Sequence, residues 1–193
     1  MSTALIIIDL IEDIVGKNSL SKNTHQQAYE RNVINNSNKA AAFAREHKIP
    51  VIWVKVGFAD DYHDIPAGSP MFHNIKELGA LKLSGTGCNW VNELDVQFHD
   101  LVMIKKGVSA FAGNTLNQWL DENKINHVIF GGVSSVMTIQ SSVRFAHDLG
   151  YQVTVIEDLC SADTLELHQQ SMQALRGMAK ISSLSDLMQG NIV

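Results

Sequence analysis

The sequence has only two cysteines, Cys88 and Cys160, far apart and in no metal-like spacing. A disulfide framework and a cysteine-based metal knuckle are thereby excluded. Only three prolines occur in 193 residues, and no linker or low-complexity tract divides the chain. It reads as one domain, residues 1–193. No run approaches the roughly 20 apolar residues that a bilayer-spanning helix needs. Positive charge is in deficit: 15 Lys and Arg stand against 20 Asp and Glu, with no basic cluster. A nucleic-acid surface requires such a cluster, so no nucleic-acid partner is expected. Met1-Ser2-Thr3-Ala4-Leu5 has no basic stretch ahead of its apolar residues. No signal peptide and no membrane partner are expected, and the location is read as cytoplasmic. A G-x-G-x-x-G turn is missing after the first apolar run, which sets aside a dinucleotide-binding reading.

What is present alternates. Ala4–Leu10, Val51–Val56, Leu101–Ile104, His127–Phe130, Tyr151–Ile156 and Ala179–Ser182 are short apolar runs, suited to strands covered on both faces. Between them lie helical patterns. One spans Tyr29–Lys48 and stops before Pro50. Another is capped by Asn114 and carries Leu116, Trp119 and Leu120 on one face. A third shows Val136, Ile139, Val143, Ala146 and Leu149 as an amphipathic stripe. A fourth is capped by Thr164, with Leu165, Met172 and Leu175 inward. This alternation predicts a parallel sheet with helices on both faces. The stretch Gly57–Asp100 reads as irregular, and a loop that long is functional or interfacial.

Ligands gather beyond the carboxyl ends of the strands in such a sheet. Asp9 ends the first strand, Lys105 ends the third, and Thr138 falls in the first turn after Gly131-Gly132. Taken singly, each has a bland reading as a turn, surface or capping residue. Together they mark one rim.

These segments resemble the isochorismatase-like cysteine hydrolases over nearly the whole chain. Ala4–Asp13 resembles the family's opening strand with its aspartate. Lys105-Lys106-Gly107-Val108-Ser109-Ala110-Phe111 resembles its lysine segment, and Gly132–Thr138 resembles its nucleophile turn. The nucleophilic cysteine's place, however, is held by Thr138. The resemblance implies a three-layer α/β/α fold with a six-stranded parallel sheet. It further implies a small-molecule substrate, no cofactor, and a homodimer or higher homo-oligomer. Asp9 and Lys105 take the roles of acid–base group and charge stabiliser, with Thr138 completing the catalytic set. The backbone N–H groups of Ser134 and Thr138 become the oxyanion site, and the Val133–Ser134 peptide bond is the expected non-proline cis bond.

A threonine hydroxyl is far less acidic than a thiol and ordinarily needs a dedicated base. True isochorismatases also lack the cysteine and cleave a vinyl ether, for which the aspartate would act as acid. The expected activity is therefore hydrolysis of a vinyl ether such as isochorismate, or of an amide-like compound. The alternative is a catalytically silent binding or structural protein on the same fold. A dicarboxylate such as isochorismate wants an arginine clamp, and no arginine occurs between Arg45 and Arg144. Ile11, Trp90, Phe111 and His63 are expected to line the substrate pocket. Asp61-Tyr62-His63 and His73 superficially resemble the metal ligands of nicotinamidase-like relatives, but their context does not match, and no metal is expected.

Overall fold

A computed structural model describes residues 2–192. Six strands form one parallel sheet: β1 (Thr3–Ile8), β2 (Val51–Val56), β3 (Leu101–Lys105), β4 (His127–Val133), β5 (Gln152–Ser161) and β6 (Lys180–Ser182). Their order is β3-β2-β1-β4-β5-β6, so the two central strands β1 and β4 carry neighbours on both sides. All six residues of β1 are buried, which explains its unbroken apolar run.

Helices α1 (Glu12–Val15), α2 (Lys22–Glu30), α3 (Val33–Glu46), α4 (Pro70–Leu78), α5 (Leu116–Glu122), α6 (Gln140–Asp148), α7 (Leu165–Leu175) and α8 (Leu184–Met188) complete the chain. Alternate β1 residues serve opposite layers. Ala4, Ile6 and Ile8 pack with Leu116 and Leu120 of α5, Val143 of α6 and Met172 of α7. Leu5 and Ile7 pack with Ala40, Phe43 and Ala44 of α3 and Leu187 of α8. The three-layer α/β/α arrangement follows from this two-residue period.

Several boundaries differ from those read in the sequence. The helix expected over Tyr29–Lys48 is two helices, broken where Asn32 adopts φ +53°. Asn tolerates that left-handed geometry better than most residues. Asn114 caps as expected, accepting the Leu116 N–H at 3.0 Å, although Thr115 holds the N-cap position. Leu149 and Leu165 are exposed rather than inward. Gly131 and Gly132 extend β4 rather than ending it, pairing with Ile7 and Ile8. β5 runs five residues beyond Ile156.

The Gly57–Asp100 stretch is not wholly irregular, since it contains α4. Ser69 accepts the Phe72 N–H, Pro70 opens the helix, and Gly79 closes it at φ +65°. That is a complete start-and-stop signature. Phe72 joins Phe58, Tyr62 and Leu81 in a small third core.

Gly132 governs how closely β4 approaches β1. Its φ is +130°, and a Cβ there would lie 2.2 Å from the Ile8 carbonyl oxygen, one residue before Asp9. Gly132→Ala is expected to cost at least about 3 kcal/mol of stability or prevent folding. Guanidinium unfolding of the variant checks this; a loss below about 1 kcal/mol would contradict the close approach.

Candidate active site

Asp9, Lys105 and Thr138 meet at the carboxyl ends of β1, β3 and β4. Asp9 follows β1 with φ +62°, its N–H donating to the Val54 carbonyl at 2.8 Å. This turn lets its Oδ1 accept the Val56 N–H at 2.8 Å. Oδ2 lies 2.8 Å from Lys105 Nζ and accepts from Thr138 Oγ1 at 3.2 Å. Asp9, Lys105 and Thr138 are 3 %, 1 % and 5 % exposed, so the ion pair is shielded from water and from salt.

The ammonium of Lys105 also donates to the Val108 carbonyl at 2.6 Å and to Thr138 Oγ1 at 3.4 Å. An ammonium has three N–H groups. All three are taken by Asp9, Val108 and Thr138. The Thr138 hydroxyl accepts from Lys105 and donates to Asp9, so it occupies the centre of the triangle. Ser142 fixes the Thr138 segment, donating to its carbonyl at 2.7 Å while accepting the Ala110 N–H at 2.9 Å.

Thr138 lies in a π-helical turn, Ser135–Ile139, in which the Ser134 carbonyl accepts the Ile139 N–H at 3.1 Å. Such wide turns recur at functional sites. The Val133–Ser134 peptide is cis. Behind this turn lies a network the sequence reading passed over. Arg31 Nη2 lies 3.0 Å from His168 Nε2, and His168 Nδ1 lies 2.8 Å from Ser135 Oγ. Arginine can only donate, so Nε2 must accept, and the proton sits on Nδ1. Nδ1–H then donates to Ser135, whose own proton goes to the Ser161 carbonyl at 2.9 Å. His168 therefore has no lone pair facing Ser135, and this pair is not a nucleophile with its base. Its effect is to pin the turn to β5 and α7; Ser171 adds a bond to the Ser135 carbonyl at 2.8 Å. Burial, reinforced by the Arg31 charge, lowers the His168 pKa from 6.5 to about 4.

A pocket of about 260 Å³ opens on the Asp9–Lys105–Thr138 cluster. Met71, Phe72 and Ile75 of α4 form one wall, and Val133, Val136 and Met137 form another. Ser21, Thr24, Asp13 and Asp163 also line it. Ser134 lies on the lining, next to Val133.

The structure does not place the other four expected residues in this pocket. Ile11 is fully buried in the third core and bridges to Trp90. Trp90 packs on Trp53, with Lys55 Nζ 5.1 Å from its ring centroid. Phe111 is packed between Phe130 and Phe145. The His63 ring pairs with Asp61 at 2.6 Å on the exposed loop, which raises its pKa through that hydrogen bond. His73 bonds to the Ala67 carbonyl instead. Among the described residues, no group of three His, Cys, Asp or Glu is placed to hold a metal ion. The α4 wall could have been found from Ser69-Pro70 and Gly79; Ser21 and Asp163 carry no comparable signal.

Residues 3–186 match the model of the isochorismatase domain, and the chain belongs to the isochorismatase family of hydrolases. It is 29% identical to isochorismatase family protein YecD of Escherichia coli O157:H7, covering 97% of this chain and 95% of that one. It is 28% identical to ureidoacrylate amidohydrolase RutB of Klebsiella pneumoniae, over 81% of this chain and 72% of the relative. The fold matches an isochorismatase family protein from Desulfovibrio vulgaris with a TM-score of 0.85, at 23% identity over 98% of both chains. It also matches N-carbamoylsarcosine amidase from Thermoplasma acidophilum with a TM-score of 0.76, at 19% identity over 95% of this chain and 97% of that one.

Two measurements follow from this geometry. Below pH 6.5 the unfolded chain binds a proton at His168 that the folded chain refuses, down to about pH 4. Stability should therefore fall across that window, by about 2 kcal/mol at pH 5 relative to pH 7. Urea midpoints at both pH values check this, and His168→Gln should flatten the difference. In a second test, Thr138→Cys places a thiol where Asp9 can take its proton and Lys105 can donate to the sulfur. Cys88 and Cys160 are buried, with pKa values pushed up by that burial to about 11 and about 12. Iodoacetamide at neutral pH should label the variant once, at position 138, and leave the parent unlabelled by mass spectrometry.

Proposed function

We propose that the chain hydrolyses a small amide-like substrate, with Asp9 as general base and no covalent enzyme intermediate. One observation carries the reading: every partner of the Asp9 carboxylate is a donor. The Val56 N–H, the Lys105 ammonium and the Thr138 hydroxyl all point protons at it. A carboxylate so placed is arranged to accept a proton rather than to deliver one at the start of a reaction.

In this mechanism a water displaces the Thr138 hydroxyl from Oδ2 and gives its proton to Asp9. The water oxygen attacks the carbonyl carbon. The oxyanion is held by the backbone N–H groups of Ser134 and Thr138 beside the Val133 peptide. The C–N bond then breaks, and Asp9 passes its proton to the departing nitrogen. A carboxylic acid and an amine or ammonia result. Lys105 holds Asp9 in place and balances its charge; Thr138 orients the water. The amidohydrolase and amidase relatives support the bond type. Vinyl-ether cleavage needs Asp9 as an acid, and the three donors disfavour that. Homo-oligomer formation belongs to the same reading and is supported by the exposed Phe145 and Leu149, four residues apart at the end of α6.

Ammonia release from a panel of small primary amides and N-carbamoyl compounds tests the proposal. At least one should be turned over, and Asp9→Asn should lower the rate by about 10³ or more. Release that persists in Asp9→Asn would remove the base, and no release from any compound would favour a silent binding protein.

A further inference from the structure

We infer that this pocket selects against carboxylates and takes a largely apolar substrate that is uncharged or cationic. The inference rests on the reading of the pocket as the substrate site. Among the ionisable lining residues, three are carboxylates, Asp9, Asp13 and Asp163, and only one is a cation, Lys105. That cation is not available to a ligand. Its charge is matched by Asp9 at 2.8 Å, and its remaining N–H groups go to Val108 and Thr138.

The other two carboxylates are not neutralised. Asp13 accepts the Leu81 N–H at 2.8 Å, and Asp163 accepts the hydroxyls of Ser21 and Thr24. Neither forms an ion pair among the described residues: Lys106 pairs with Asp64 at 2.6 Å, and the Lys55 ammonium donates to the Cys88 carbonyl at 2.7 Å. An anionic ligand would thus leave water for a pocket of like charge, with no arginine fork or free ammonium to receive it. The apolar wall of Met71, Phe72 and Ile75 suits an aliphatic or aryl body instead.

Three probes of one shape separate the cases: benzamide is neutral, benzoate is anionic and benzamidinium is cationic. Each is titrated into the intact protein at neutral pH and followed by backbone amide shifts. Benzamide and benzamidinium should shift the amides of Val108, Val136 and Met137, with benzoate at least about tenfold weaker. In Asp13→Asn/Asp163→Asn, which keeps both side-chain acceptors, the benzoate deficit should shrink about tenfold. Benzoate binding as tightly as benzamide in the parent protein overturns the inference, as does no binding of any probe. An unchanged deficit in the double variant removes the two carboxylates as its cause. Binding of benzamide with no ammonia release from any compound of the panel would overturn the proposed hydrolysis and leave the charge selection standing.

Discussion

The buried ion pair of Asp9 and Lys105 is the constraint on which the rest of the site depends. Two charges withdrawn from water are expensive unless each is matched and hydrogen-bonded. Here the cost is met by geometry drawn from three strands. β2 supplies the Val56 N–H, the segment after β3 supplies the Val108 carbonyl, and the turn after β4 supplies the Thr138 hydroxyl. Removing either charge would leave the other buried and alone. The pair therefore fixes the relative positions of the β1, β3 and β4 ends as much as it offers chemistry.

That arrangement explains how Thr138 fits where the family resemblance expects a cysteine. The hydroxyl is fully engaged, accepting from Lys105 and donating to Asp9, so the triangle closes without an acidic proton. A site built this way has a carboxylate prepared to take a proton and lacks a strong nucleophile of its own. In the proposed reaction, water is the reagent it activates. The same commitment of Lys105 sets the field in the pocket, because the ammonium that stabilises Asp9 cannot also hold a substrate anion.

The rim residues were legible in the sequence because Asp9 and Lys105 directly follow apolar runs, and a parallel sheet brings such ends together. Gly132 reads in the sequence as the end of β4, whereas it lies within the strand, and its close approach was not legible because the constraint comes from Ile8 on another strand. The pocket walls were harder. Ile11 and Phe111 lie close in sequence to Asp9 and Lys105 but face cores, and proximity along the chain does not give direction. Met71, Phe72 and Ile75 reach the pocket because α4 folds back over the sheet, a tertiary event that capping signals announce only as a helix. The Arg31–His168–Ser135 network joins three distant segments, and no local pattern marks it.

The central claim is that Asp9 activates water directly and that no ester forms on Thr138. Acid-quenched turnover of an amide that the enzyme hydrolyses, followed by mass analysis of the peptide containing Thr138, tests it most directly. The account predicts an unmodified peptide at every time point while acid and amine accumulate. An acyl adduct on Thr138 that forms and decays at the turnover rate would contradict it and make the threonine the nucleophile.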